Sequence, residues 1–117
     1  MLIVYGIQHC DTVAAACKWL EERGVVFEFH DLRKEHLDAR TLETWIERLG
    51  RDRLLNKSSA TWRTLDSTQR TLIESGNPVP VLIANPTLIK RPVLVGDDGL
   101  LHNGFSPTEY ERLFPRA

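Results

Sequence analysis

Leu2-Ile3-Val4-Tyr5-Gly6-Ile7-Gln8-His9-Cys10-Asp11-Thr12 opens the chain, and its reading decides the fold. Leu2 to Tyr5 is an apolar run of strand-forming residues ended by Gly6. Beyond Cys10 the period changes. Val13, Ala16, Cys17 and Leu20 fall at i, i+3, i+4 and i+7, one face of a helix, and Gly24 supplies the left-handed residue that stops it. Val25 to His30, rich in Val and Phe, reads as a second strand. Strand, helix and strand in succession form a βαβ unit, whose strands are parallel and whose crossover is right-handed.

The middle of the chain is helical. Asp38 can cap a helix bearing Leu42, Trp45, Ile46 and Leu49 on one face, and Gly50 ends it. Arg51 to Arg63 is a mixed connecting segment. Asp66 and Gln69 have capping-box spacing before a third helix, with Leu72 and Ile73 on its apolar face and Gly76 as its terminator. Pro78 to Asn85 reads as a short helix. Strands return at the end: Pro92 to Val95 and Leu100 to Asn103 flank Gly96-Asp97-Asp98-Gly99, a hairpin turn signal. Ser106-Pro107-Thr108-Glu109 then starts a last helix, with Tyr110, Leu113 and Phe114 to pack it.

The order β-α-β, helical block, β-β-α predicts an α/β protein with a four-stranded mixed sheet: a thioredoxin-like fold with helices inserted over approximately residues 38–86. A length of 117 residues predicts one domain over 1–117. With 15 basic and 16 acidic residues, the net charge of -1 offers no footprint for nucleic acid or an anionic membrane. The apolar runs are too short for a membrane span or a signal peptide, so a soluble, cytoplasmic protein is expected. A monomer is the default at this charge balance. Two cysteines, Cys10 and Cys17, are too few for a disulfide framework.

Cys10 lies where the first strand hands over to the first helix. If that helix begins at Asp11 or Thr12, the sulfur faces the unbonded N–H groups of the first turn, and these together with the helix dipole favour an anion. Cysteines so placed titrate anywhere from about 3.5 to 7.5 instead of about 8.5. The thiolate is the nucleophile, so the position suits covalent chemistry. It also suits an ordinary small loop residue, and Asp11 opposes a thiolate unless its carboxylate points away. Metal binding is not expected, because His9 and Cys10 are adjacent and His30, His36 and His102 show no ligand spacing. Cys17 sits seven residues on, about 10 Å along a helix, and a disulfide needs Cα atoms within about 7 Å. It reads as a core thiol, and any partner thiol for Cys10 has to come from outside. Lys90-Arg91-Pro92 precedes the third strand and by itself is a weak signal.

Taken together, Tyr5-Gly6-Ile7 with Cys10-Asp11-Thr12, Lys18-Trp19-Leu20-Glu21, Phe29-His30-Asp31, Leu54-Leu55-Asn56, Thr61-Trp62-Arg63, Ile89-Lys90-Arg91-Pro92 and Gly104-Phe105-Ser106 resemble the ArsC/Spx/YffB family over essentially the whole chain. This is the arsenate-reductase-like branch of the thioredoxin superfamily, and the likeness is closest to the YffB-type subgroup. The resemblance implies a glutathione-dependent thiol–disulfide reductase with Cys10 as nucleophile. Arg91 would hold positive charge beside it, Pro92 would be the facing cis-proline, and Pro92, Asp11 and Thr12 would be the substrate-binding positions. Glutathione would be a co-substrate, with no bound cofactor, and the substrate a disulfide or an oxyanion. Two other readings come with the family: arsenate reduction with glutathione and glutaredoxin, and Spx-like binding of RNA polymerase without catalysis. Of the three arginines that surround the anion in arsenate reductases, this chain keeps Arg91. Asn56 stands at the second place and Gly104 near the third, while Lys57 and Arg63 read as surface charges. Val13 stands where a C-x-x-C switch of the Spx type would have its second cysteine.

Overall fold

A computed structural model describes residues 1–116. The chain divides into two compact units, Met1–Lys34 with Arg91 onward, and Glu35–Lys90.

The first unit is built on a four-stranded mixed sheet. Its strands are β1 (Leu2–Gly6), β2 (Phe27–Asp31), β3 (Val93–Val95) and β4 (Leu101–Asn103), in the order β2-β1-β3-β4. β1 runs parallel to β2 and antiparallel to β3, and β3 runs antiparallel to β4. Helix α1 (Asp11–Glu22) joins β1 to β2, and the helix at Pro107–Leu113 closes the unit. Leu2 and Val4 from β1, Ala16 and Leu20 from α1, Leu94 from β3 and Tyr110 from the last helix form its core. The alternation along β1 and the 3.6-residue spacing along α1 are what turn these residues to one place. Full burial of a Leu or Val contributes about 1.5–3 kcal/mol.

Element ends differ from the sequence reading for identifiable reasons. Arg23 follows the last residue of α1, Gly24 takes a φ of 72°, and the N–H groups of Gly24 and Val25 donate back to the carbonyls of Glu21 and Leu20. This is a Schellman ending. It holds Val25 to the helix, leaves Val26 exposed, and moves the start of β2 from Val25 to Phe27. β3 starts at Val93 instead of Pro92, since proline has no N–H for the ladder.

The second unit is helical: α2 (Ala39–Leu49), α3 (Arg51–Leu54), α4 (Ala60–Thr64), α5 (Ser67–Glu74) and α6 (Val79–Ala84), followed by a 3₁₀ turn at Pro86–Leu88. With these numbered, the C-terminal helix of the first unit is α7. Leu42, Trp45, Leu54, Ile73, Leu82 and Leu88 are buried. The caps at Asp38 and Asp66 are as the spacing predicts, and Asp66 with Gln69 completes a capping box. The connector expected over Arg51 to Arg63 instead contains α3 and α4, with α4 capped by Ser59. An antiparallel bridge between Leu55 and Ile89 ties the residue after α3 to the end of the unit. Among the described residues no helix is long and apolar enough to cross a membrane.

Candidate active site

Gly6 ends β1 at a point where only a hydrogen fits. A Cβ there would stand 2.7 Å from Val13 Cγ1 and 3.0 Å from Phe29 Cε2. The missing side chain lets the first turn of α1 lie close against the strand end. The Leu32 N–H donates to the Gly6 carbonyl at 2.8 Å. The Gln8 N–H then donates to Asp31 Oδ2 at 3.3 Å, while Asp31 Oδ1 accepts the N–H of Arg33 at 2.8 Å. Asp31 is buried. Burial works against its charge, but the N–H groups of Arg33 and Gln8 and the nearby Lys34 outweigh it and hold the carboxyl below the usual range.

His9 follows with a φ of 65°, in the left-handed region that residues other than glycine seldom adopt. Cys10 comes next, as the N-cap of α1, with φ -100° and ψ 120°. Its carbonyl accepts the N–H of Ala14 at 2.9 Å, and its sulfur makes no capping bond. The thiol is reduced and half-buried. The helix begins at Asp11, as the sequence reading requires, and Asp11 and Thr12 are both exposed on its first turn while Val13 turns inward.

The pairing of Tyr5 with Val93 sets Gly6 and Pro92 one residue beyond the last rung, at the same end of the sheet. The Arg91–Pro92 peptide bond is cis. Pro92 is buried and Arg91 half-buried. The Pro92 carbonyl accepts the Gly104 N–H at 2.9 Å, and the Gly104 carbonyl accepts the Tyr110 hydroxyl at 3.1 Å. Burial, followed by nearby Cys17 and Glu109, pushes the Tyr110 phenol well above its ordinary value, so it is a fixed donor. The fold therefore brings Cys10, Asp11, Thr12, Arg91 and Pro92 to one end of one sheet.

Of the other residues singled out, one lies further along α1 and three belong to the second unit. Cys17 is half-buried against the core of the first unit, and burial, with Glu21, raises its pKa. Asn56, Lys57 and Arg63 belong to the second unit. Asn56 accepts the Ser58 hydroxyl at 2.7 Å, Lys57 pairs with Asp52 at 3.7 Å, and Arg63 is exposed on α4. Two features of the cysteine loop, the left-handed His9 and the reach of Asp31 back to Gln8, escaped the sequence reading. An aspartate closing a strand is an Asx-turn signal, which points to the Arg33 bond but gives no hint of Gln8.

The sequence model of the ArsC family matches residues 5–113. An uncharacterised protein of Haemophilus influenzae is 41% identical over 97% of this chain and 99% of its own length. The solved structure of an arsenate reductase (ArsC) related protein from Brucella melitensis is 37% identical, with a TM-score of 0.75, over 98% of this chain and 95% of that one. That of a YFFB protein is 33% identical, with a TM-score of 0.88, over 97% and 99%. More distantly, the global transcriptional regulator Spx of Lactiplantibacillus plantarum is 23% identical over 99% of this chain and 88% of its own.

Proposed function

The chain belongs to the ArsC family, and from that footing we propose that it is a glutathione-dependent thiol–disulfide reductase with Cys10 as its nucleophile. The observation that carries this is a reduced, half-buried cysteine at the N-cap of a 12-residue helix, with a sulfur that makes no capping bond.

In the first step the Cys10 thiolate attacks the glutathione sulfur of a mixed disulfide. A Cys10–glutathione bond forms, the substrate S–S bond breaks, and the substrate leaves as a thiolate that takes a proton from water. In the second step the thiolate of a free glutathione attacks the glutathione sulfur held on Cys10. Glutathione disulfide leaves and the Cys10 thiolate is restored. In sum the mixed disulfide and one glutathione thiol give the substrate thiol and glutathione disulfide, so one S–S bond is broken, one is formed, and the free glutathione is the reductant. External glutathione is required because Cys17 lies about 10 Å along the same helix, beyond the reach of a disulfide. Arg91 enters as a permanent cation that holds the anionic groups of glutathione at this end of the sheet, and Pro92, Asp11 and Thr12 line its approach.

The test is glutathione-dependent reduction of a mixed disulfide between glutathione and a small thiol, with wild type and Cys10→Ser compared. The variant should fall to the uncatalysed rate while remaining folded, and equal rates would end the proposal. Arg91→Ala should retain activity with kcat/KM lowered by about 10- to 100-fold, the equivalent of a lost charge-assisted contact of about 1.5–3 kcal/mol. Arsenate offered in the same coupled assay separates this reading from arsenate reduction: turnover of arsenate with none of the disulfide would replace the proposal.

A further inference from the structure

A parallel ladder has a fixed hydrogen-bond order. A residue on one strand donates its N–H to one carbonyl of its neighbour strand and accepts, at its own carbonyl, the N–H two residues further along. The last such donor on the β2 side is Leu32, which gives its N–H to Gly6. Regular continuation would send the Gln8 N–H to the Leu32 carbonyl. It goes instead to Asp31 Oδ2. A buried side chain thus takes the place of the backbone acceptor at the residue where the chain leaves the sheet, and Cys10 follows two residues later through the left-handed turn at His9.

We infer that Asp31 is the positioning residue of the nucleophile: its carboxylate stands in for the missing rung of the β1–β2 ladder, pins the Gln8 amide, and so sets where Cys10 begins α1. The inference rests on the reading of Cys10 as the nucleophile. Three geometric facts support it. The two segments are separated by 23 positions in the chain, so the bond from Gln8 is a tertiary tie and not a local turn. The other oxygen is occupied by Arg33, so the carboxylate is oriented from its own side of the loop. The Asp31 carbonyl also accepts the Lys34 N–H at 3.1 Å, which fixes the backbone from which the carboxylate projects. The lowered pKa of Asp31 agrees with a carboxylate kept ionised as an acceptor. With Gln8 pinned and His9 turned, little freedom remains for the Cys10 backbone.

Asp31→Ala removes both acceptors, and Asp31→Asn keeps the shape with one of them. Two readouts are made on the folded proteins: amide hydrogen exchange at Gln8 by NMR, and the rate at which iodoacetamide alkylates Cys10 at neutral pH, followed by peptide mass. Asp31→Ala should speed Gln8 exchange by about tenfold and slow Cys10 alkylation by about fivefold, with Asp31→Asn between it and wild type at about threefold and twofold. Amides in the middle of α1 should be unaffected. If Asp31→Ala does not fold, Asp31→Asn against wild type decides on the same two readouts. Wild-type values in the variant that is read, or an acceleration spread evenly over the amides of the sheet and α1, would overturn the inference. Neither readout needs turnover. A Cys10→Ser enzyme that reduced disulfides as fast as wild type would therefore sink the reductase proposal while leaving the role of Asp31 to be judged by exchange and alkylation.

Discussion

The two units of the chain reach order by different means. In the sheet unit the decisive bonds join distant parts of the sequence. Tyr5 pairs with Val93, Arg23 makes an ion pair with Glu111 while its guanidinium carbon sits 4.4 Å from the centre of the Trp19 ring, and Gln8 is tied to Asp31. The helical unit also has such bonds, Arg51 to the Ile73 carbonyl at 3.0 Å and the hydroxyls of Thr61 and Thr87 at 2.6 Å, but its helices are started by local ones. Asp38 caps Thr41, Ser59 caps Trp62 and Asp66 caps Gln69, each across three residues. Cys10, the proposed nucleophile, follows the long-range tie from Gln8 to Asp31 by two residues. Local caps start helices but say little about where they end up in space.

The largest effect that sharpens this contrast is expected in the sheet core. Leu20 is fully buried among residues of β1, β3 and α7. Leu20→Ala should lower the unfolding free energy by about 2–5 kcal/mol in urea titrations, and a cost under about 1 kcal/mol would break the comparison. A smaller effect belongs to the helical unit. Asp66→Ala removes the side-chain cap while leaving the backbone N–H that donates to Gln69 Oε1, and should cost about 1 kcal/mol. A loss as large as that of Leu20→Ala would mean that the cap does more than start its own helix.

The smallest effect is on pH. Asp31 and Asp38 both have folded-state values below the ordinary carboxylate range, Asp38 because the Thr41 N–H and hydroxyl bond to it. A depressed folded pKa gives stability that is complete above about pH 4 and fades as the pH falls through the folded value. Wild type should therefore lose stability as the pH falls below about 4, and Asp31→Asn and Asp38→Asn should each flatten that decline. A variant whose decline matches wild type would show that its carboxylate is not a source of the loss.

Much of this was legible in the sequence because it follows from short-range rules. The strand, cysteine and helix at the start, the caps at Asp38, Asp66 and Ser106, and the hairpin around Gly99 each depend on residues within a turn or two of one another. That the sheet is mixed followed from the parallel crossover and the hairpin, whereas the pairing of β1 with β3 was not read. Helices α3 and α4 were not legible, because four or five residues are too few to show a period. The start of β2 was missed for another reason: Val25 has high strand propensity, yet its N–H is already committed to Leu20. At the candidate site the position of Cys10 could be read, whereas the tie from Gln8 to Asp31 could not, since it joins a loop to the end of a strand through a side chain.

One connection reaches past the sheet. The Tyr110 hydroxyl holds the Gly104 carbonyl, and the Gly104 N–H holds the Pro92 carbonyl, so the segment carrying Arg91 is fastened to the far end of the polypeptide. Synthesis runs from the N-terminus, so Cys10 leaves the ribosome long before Tyr110 is made. For that interval the nascent chain carries its thiol without the clamp on the Arg91 segment, and a messenger cut short before the Tyr110 codon would yield a product frozen in that unfinished condition.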